Sequence, residues 1–147
     1  MTAMERIQLT HTTKHDYSGI LAYMQDDTES GDAWFTRPQT LPELSDYMVK
    51  AYRAGSIMYT ATLKGKVVGM VSFSVFDSET HQVGFFIAKS ARSKGLHLAI
   101  AEVATRFKCL VAWPYADNMA CIKFLTKLGF KDTGIKTGQM LKFIKTS

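Results

Sequence analysis

Apolar positions change period several times along the chain, and the order of those changes predicts alternating helices and strands. After a short strand over residues 6–9, Tyr17, Ile20, Leu21 and Met24 recur at three- and four-residue spacing, as on one buried helical face, and Asp26, Asp27, Ser30 and Gly31 end the segment. Thr40 with Glu43 reads as a capping box ahead of Leu41, Leu44, Met48 and Ala51, and Gly55 closes this second helix. The period then falls to two. Residues 57–63 and 67–76, joined by Lys64-Gly65, predict a β-hairpin. Residues 83–88, rich in aromatic and β-branched side chains, predict a central strand that runs into a basic turn. Beyond that turn Leu96, Ile100, Val103 and Phe107 mark a third helix. A strand over 109–112 gives way to Trp113-Pro-Tyr-Ala-Asp-Asn118. A fourth helix follows, burying Cys121, Phe124, Leu125 and Leu128 and stopping at Gly129, and residues 130–144 read as a last hairpin turning near Thr137-Gly138. This order predicts a mixed α/β (α+β) fold.

Composition narrows the class. With 147 residues, 46% hydrophobic and 21% charged, the chain has core material for one domain, expected over 1–147, without disulfides or metals. No apolar run reaches eighteen residues and the first ten, MTAMERIQLT, do not form a basic-then-apolar leader, so the expected location is the cytoplasm, with no membrane partner. Cys109 and Cys121 form no CxxC and have no histidine at zinc spacing; they read as reduced core thiols, and no metal is expected. The net charge of +5 is unevenly divided. Residues 1–80 carry 7 Lys+Arg against 10 Asp+Glu, a balance of −3, whereas residues 81–147 carry 11 against 3, a balance of +8. The basic half suits an anionic partner: a phosphorylated cofactor, a nucleic acid or an acidic protein surface. The absence of an RNP-type aromatic strand, a helix-turn-helix cue and a zinc pattern argues against nucleic acid.

Arg92-Ser-Lys-Gly95-Leu-His97, set between a strand and a helix, is the segment that best fits such an anion. A helix N-terminus carries unpaired N–H groups and partial positive charge, Gly95 lets the backbone approach a phosphate, and Arg92 and Lys94 add mobile charge. Neither a Walker A nor a GxGxxG pattern is present, so the same residues also read as a solvated basic turn that caps a helix.

Two blocks in order carry a resemblance. The family pattern Q/R-x-x-G-x-G/A is met at Arg92 and Gly95, and N-x-x-A-x-x-L-Y-x-x-L-G-F at Asn118, Phe124, Leu128, Gly129 and Phe130, with Cys121 in place of the small Ala. On these residues the chain resembles the GNAT superfamily of acyl-CoA-dependent N-acyltransferases. The resemblance covers roughly residues 57–144. The segment from Asn118 to Phe130, with Lys123-Phe-Leu125, is most similar to small acetyltransferase-like proteins of tailed bacteriophages, which would place the chain in a host cytoplasm. What the resemblance implies is a mostly antiparallel mixed sheet of six to seven strands flanked by about four helices. It also implies acetyl-CoA as cofactor, held by Phe86, Ile87, Ala88, Arg92, Ser93, Lys94, Gly95, Leu96, His97 and Asn118. A general base belongs on or beside the fourth strand, with Glu79 and His81 nearest. Tyr115, just before the fourth helix, is a candidate substitute proton donor; a turn tyrosine after proline also serves simply to pack against the surface. Trp34, Phe35 and Arg37 fall in the region that overhangs the acceptor in this superfamily; such aromatics also serve to bury a loop on its own core. The acidic residues before them, Asp26, Asp27, Glu29 and Asp32, suit a cationic amine. Two positions depart from the pattern: His97 stands where the family has Gly or Ala, and Leu125 where many members have a tyrosine that protonates the departing thiolate.

The expected function is transfer of an acetyl group from acetyl-CoA to a primary amine by direct attack. The alternative is a protein of the same fold, weakly active or inactive, that docks on a host protein. A general acid adds about 10²- to 10⁴-fold, so its loss weakens catalysis without forbidding it. Acceptor identity and the choice between monomer and homodimer are not encoded in these motifs.

Overall fold

A computed structural model describes residues 5–26 and 38–146. Seven strands form one sheet: β1 (Gln8–His11), β2 (Ile57–Leu63), β3 (Lys66–Val75), β4 (Thr80–Ile87), β5 (Cys109–Ala112), β6 (Lys131–Thr137) and β7 (Met140–Thr146). Their order is β1-β2-β3-β4-β5-β7-β6. Every neighbouring pair is antiparallel except β4 and β5, which are joined through a helix and run parallel. The expected mixed, mostly antiparallel sheet with four helices is what the described residues form.

Helices α1 (Tyr17–Asp26) and α2 (Leu41–Arg53) cover one face of the sheet, where Ile20, Met24, Leu44 and Met48 pack on Met58 and Met70. Helices α3 (Leu96–Ala104) and α4 (Met119–Lys127) cover the other, where Leu96, Ile100, Val103 and Leu125 pack on Val71, Phe73, Val83, Ile87 and Leu110. Alternation along each strand assigns residues to these faces, because successive side chains point to opposite sides.

Local details depart from the pattern-based expectation in four places. The first strand begins at Gln8 and not at residue 6, because the Ile7 N–H donates to the Lys94 carbonyl (2.7 Å) and Arg6 pairs with Glu102 (3.0 Å). Strand β4 starts at Thr80, three residues early: Thr80, His81 and Gln82 are polar, yet all three pair with β5 on one side, while on the other His81 and Gln82 pair with β3 and Thr80 accepts from the Phe76 N–H just beyond it (3.0 Å). A 3-10 turn over Lys89–Ala91 precedes α3, and α3 ends at Ala104, leaving Phe107 on the following turn. The Thr40 hydroxyl does cap α2 by accepting from the Glu43 N–H (3.3 Å), but the Glu43 carboxylate takes the Gln39 N–H (2.9 Å) and not that of Thr40.

Candidate active site

Strands β4 and β5 pair only at one end, through Thr80, His81 and Gln82 with Cys109, Leu110 and Val111. Beyond Val111 the chain follows β7 instead. Leu141 N–H donates to the Pro114 carbonyl (2.8 Å), Tyr115 bridges to Met140, and Ala116 N–H donates to the Gln139 carbonyl (2.8 Å). The pull toward β7 opens a cleft between two parallel strands.

Which groups line that cleft follows from register. Ala88 N–H donates to the Val68 carbonyl and Thr80 accepts from Phe76 N–H, so the even-numbered residues of β4 turn their main chain to β3. The odd-numbered ones turn theirs to β5. Past Gln82 the Phe85 N–H and C=O and the Ile87 N–H therefore face the opening. Of the three strand residues expected to hold cofactor, Ile87 presents a main-chain donor there, whereas Phe86 and Ala88 direct theirs at β3.

The cleft ends at the basic loop. Gly95 caps α3 with φ +80°, a left-handed conformation that glycine adopts without strain, and a Cβ there would press on the Arg6 side chain at 3.1 Å. Lys94 N–H turns inward to the Ala91 carbonyl (3.0 Å), while the N–H groups of Ser93, Gly95, Leu96 and His97 have no partner among the described residues. Four such donors at the start of a helix have the chemistry to hold an anion. Arg92 and Lys94 are exposed beside them. Arg92 is partly structural: its Nε donates to the Ile87 carbonyl (3.1 Å), tying the loop to the end of β4. Asn118 caps α4, its Oδ1 accepting from Cys121 N–H (3.1 Å), which leaves its side-chain amide N–H groups free to donate.

The loop needs support that its sequence does not announce. Gly69, on β3, sits at a bulge in the β2–β3 pairing and lies opposite Ile87. A Cβ on it would collide with the Phe86 carbonyl oxygen and stand 2.8 Å from the Ile87 Cα. An isolated glycine within a strand pattern is the available signal for such a close approach. Arg6 and Ile7 brace the loop from outside.

The expected acid–base residues are dispersed. His81 packs its ring on Phe107 (4.8 Å) on the α3 face, at the closed end of the cleft. Six residues of strand put it about 20 Å from Ile87. Glu79, in the turn before β4, is ion-paired with Lys108 (3.1 Å). Tyr115 is 57% exposed on the segment leading from β5 to α4. His97 is half-buried in the first turn of α3 and Leu125, at 1% exposure, is sealed in the core of the α3–α4 face. Trp34, Phe35 and Arg37 lie outside the described residues.

Residues 20–130 match the acetyltransferase (GNAT) family. The chain belongs to that family. No curated protein sequence matches it. Solved structures with this GNAT architecture include a ribosomal-protein-S5-alanine acetyltransferase from Vibrio fischeri (17% identity, 99% of this chain and 95% of that chain, TM-score 0.77). An aminoglycoside acetyltransferase in complex with coenzyme A and kanamycin is 19% identical over 95% of this chain and 94% of that one, with a TM-score of 0.75. A spermidine N-acetyltransferase from Vibrio cholerae, in complex with CoA and spermine, is 11% identical over 96% and 95%, also with a TM-score of 0.75. At these identities the likeness is one of fold. No helix among the described residues is long and apolar enough to cross a membrane, and no group of three metal-ligating side chains occurs among them.

Proposed function

We propose that this GNAT-family chain is an N-acetyltransferase that binds acetyl-CoA in the β4–β5 cleft and transfers its acetyl group to a primary amine by direct attack. One observation carries the reading: the open main-chain edge of β4 runs into four N–H groups at the start of α3 that have no partner among the described residues. An extended arm bearing amides fits the first, as an added strand would, and a pyrophosphate fits the second. The residues that would hold the group are Phe85 and Ile87 along the cleft and Ser93, Gly95, Leu96 and His97 through their N–H groups. Lys94 and the remaining guanidinium donors of Arg92 add charge, and the Asn118 amide stands at α4. Bound acetyl-CoA supplies an acetyl group activated as a thioester.

The α3–α4 face beside the cleft is filled, with the Phe85 and Phe124 rings 5.2 Å apart and Leu125 buried beneath α4. The acceptor therefore approaches from the opposite face, across Gln82, Gly84 and Trp113. Holding amine and thioester in line supplies the larger part of the rate enhancement, since proximity and orientation are worth about 7–11 kcal/mol. Proton handling falls to solvent and to the exposed phenol of Tyr115. His81, at the closed end, receives a proton only through intervening water, and Glu79 acts at most on the local field of Lys108.

A second reading, a weakly active protein of this fold that docks on a host protein, takes its support from Leu125, which puts a sealed aliphatic side chain where many members carry an acid. The Lys123-Phe-Leu125 run that resembles phage proteins is the same stretch. Thiol release from acetyl-CoA in the presence of a panel of primary amines separates the two. The transferase reading expects acceptor-dependent release that exceeds the slow hydrolysis of the thioester, and release that no amine stimulates would refute it.

A further inference from the structure

Strand order makes the position of one cation informative. Lys142 belongs to β7 and Phe76 follows β3, with β4 and β5 between them. Nevertheless the Lys142 Nζ lies 5.5 Å from the centroid of the Phe76 ring and 5.9 Å from that of Trp113. The two rings are 6.2 Å apart and tilted by 44°. The ammonium is thus suspended above the two intervening strands, near the point where β4 and β5 part. Register gives the face. Trp113 shares a side with Val111, which pairs with Gln82 and Ile144, and Lys142 shares a side with Ile144. Phe76 shares one with Met70, which packs under α1 and α2. All three therefore lie away from the α3–α4 core, on the face by which the acceptor enters.

Cation–π attraction holds the ammonium in place without neutralising it. No carboxylate forms a salt bridge with Lys142 among the described residues. Asp77, an acid that feels the charge of Lys142, is already engaged: the Glu79 N–H donates to its Oδ1 (3.0 Å). That bond is the main reason its carboxyl is held below the ordinary range, with the charge of Lys142 a smaller one.

Resting on the transferase reading, we propose that Lys142 sets the acceptor class: the amine substrate also carries a carboxylate, which pairs with Lys142, while its apolar body lies against Phe76 and Trp113. Apolar amino acids have this chemistry. A fixed positive charge at the entrance disfavours polycations, and the same charge favours the neutral, nucleophilic form of an amine held beside it. The lysine is a specificity-determining group and takes no proton in this scheme.

The test compares L-phenylalanine, L-phenylalaninamide and spermidine, both in acetyl transfer and in ligand-detected NMR binding to CoA-loaded protein. The expected result is a preference for phenylalanine over its amide of about tenfold or more in the wild type and in Lys142→Arg. In Lys142→Gln that preference disappears, with acetyl-CoA affinity unchanged. Equal use of acid and amide, a preference for spermidine, no binding of phenylalanine, or a preference that survives Lys142→Gln would each overturn the proposal. Spermidine as the preferred acceptor would move the choice to the acidic stretch from Asp26 to Asp32. Absence of acetyl-CoA binding would overturn the transferase reading and the proposal with it, whereas transfer without carboxylate preference overturns the proposal alone.

Discussion

Leu125 shows how burial decides what one side chain can do. It occupies the fourth-helix position at which many family members place a phenol, yet its 1% exposure and its place in the α3–α4 core make it a packing residue here. Leu125→Tyr is expected to raise kcat by about 10²-fold with any working acceptor. Forcing a larger side chain into this filled space costs about 1–3 kcal/mol of stability, readable as a lower denaturation midpoint. A folded variant with unchanged kcat would show that protonation of the thiolate does not limit turnover. Cys121, one turn earlier on α4, has its thiol pushed above the ordinary range by burial. A raised pKa means less thiolate at any given pH. Alkylation of Cys121 by iodoacetamide, followed by peptide mass spectrometry, should therefore be slow near neutrality and accelerate only at more alkaline pH than for a free cysteine.

Among the elements, the β3–β4 pair shapes the proposed cofactor cradle. Gly69 lets β3 come close enough for Val68 to accept the Ala88 N–H at 2.8 Å, which sets the end of β4 from which the loop departs. Gly69→Ala should cost about 3 kcal/mol in chemical denaturation, since the added methyl meets main-chain atoms that cannot rotate away. It should also weaken acetyl-CoA binding by displacing Phe86 and Ile87. Loss of stability with unaltered cofactor affinity would separate the bulge from the cradle. These elements were unequally legible in sequence. Helix α2, with Thr40 at its start and Gly55 at its end, and strand β5 at Cys109–Ala112 stand where periodicity puts them, because a local cap and a local apolar run determine each. The start of β4 did not show, since Thr80, His81 and Gln82 are held by partners on both sides and not by an apolar pattern. Nor did the cleft, which arises because residues beyond Ala112 follow β7, a strand about thirty residues later in the chain. The loop residues Arg92 to Gly95 carry local chemistry that fits an anion site or a solvated turn capping a helix, and only the family resemblance separates the two. The Phe76–Lys142–Trp113 cluster joins three strands and has no local signature.

At the scale of the whole molecule, the two halves of the chain carry opposite charge, −3 before residue 81 and +8 after it. The basic loop, α4 and the last hairpin all belong to the basic half, so the candidate site sits in a positive field that favours an anionic ligand. Affinity for CoA should fall roughly fivefold between about 0.05 and 0.5 M salt, as screening shortens the reach of that field. An affinity indifferent to salt would confine recognition to the four N–H groups. Fold and family together leave the activity open, because the same architecture serves many functions. The measurement that bears most directly on it is a calorimetric titration of the protein with acetyl-CoA and with CoA, beside an Arg92→Ala, Lys94→Ala double variant. Binding at about micromolar affinity is expected in the wild type, weakened by about tenfold or more in a variant that remains folded. A folded wild type that binds neither ligand, or a double variant that binds both as well as the wild type, would contradict the assignment of the cleft and loop as the acetyl-CoA site.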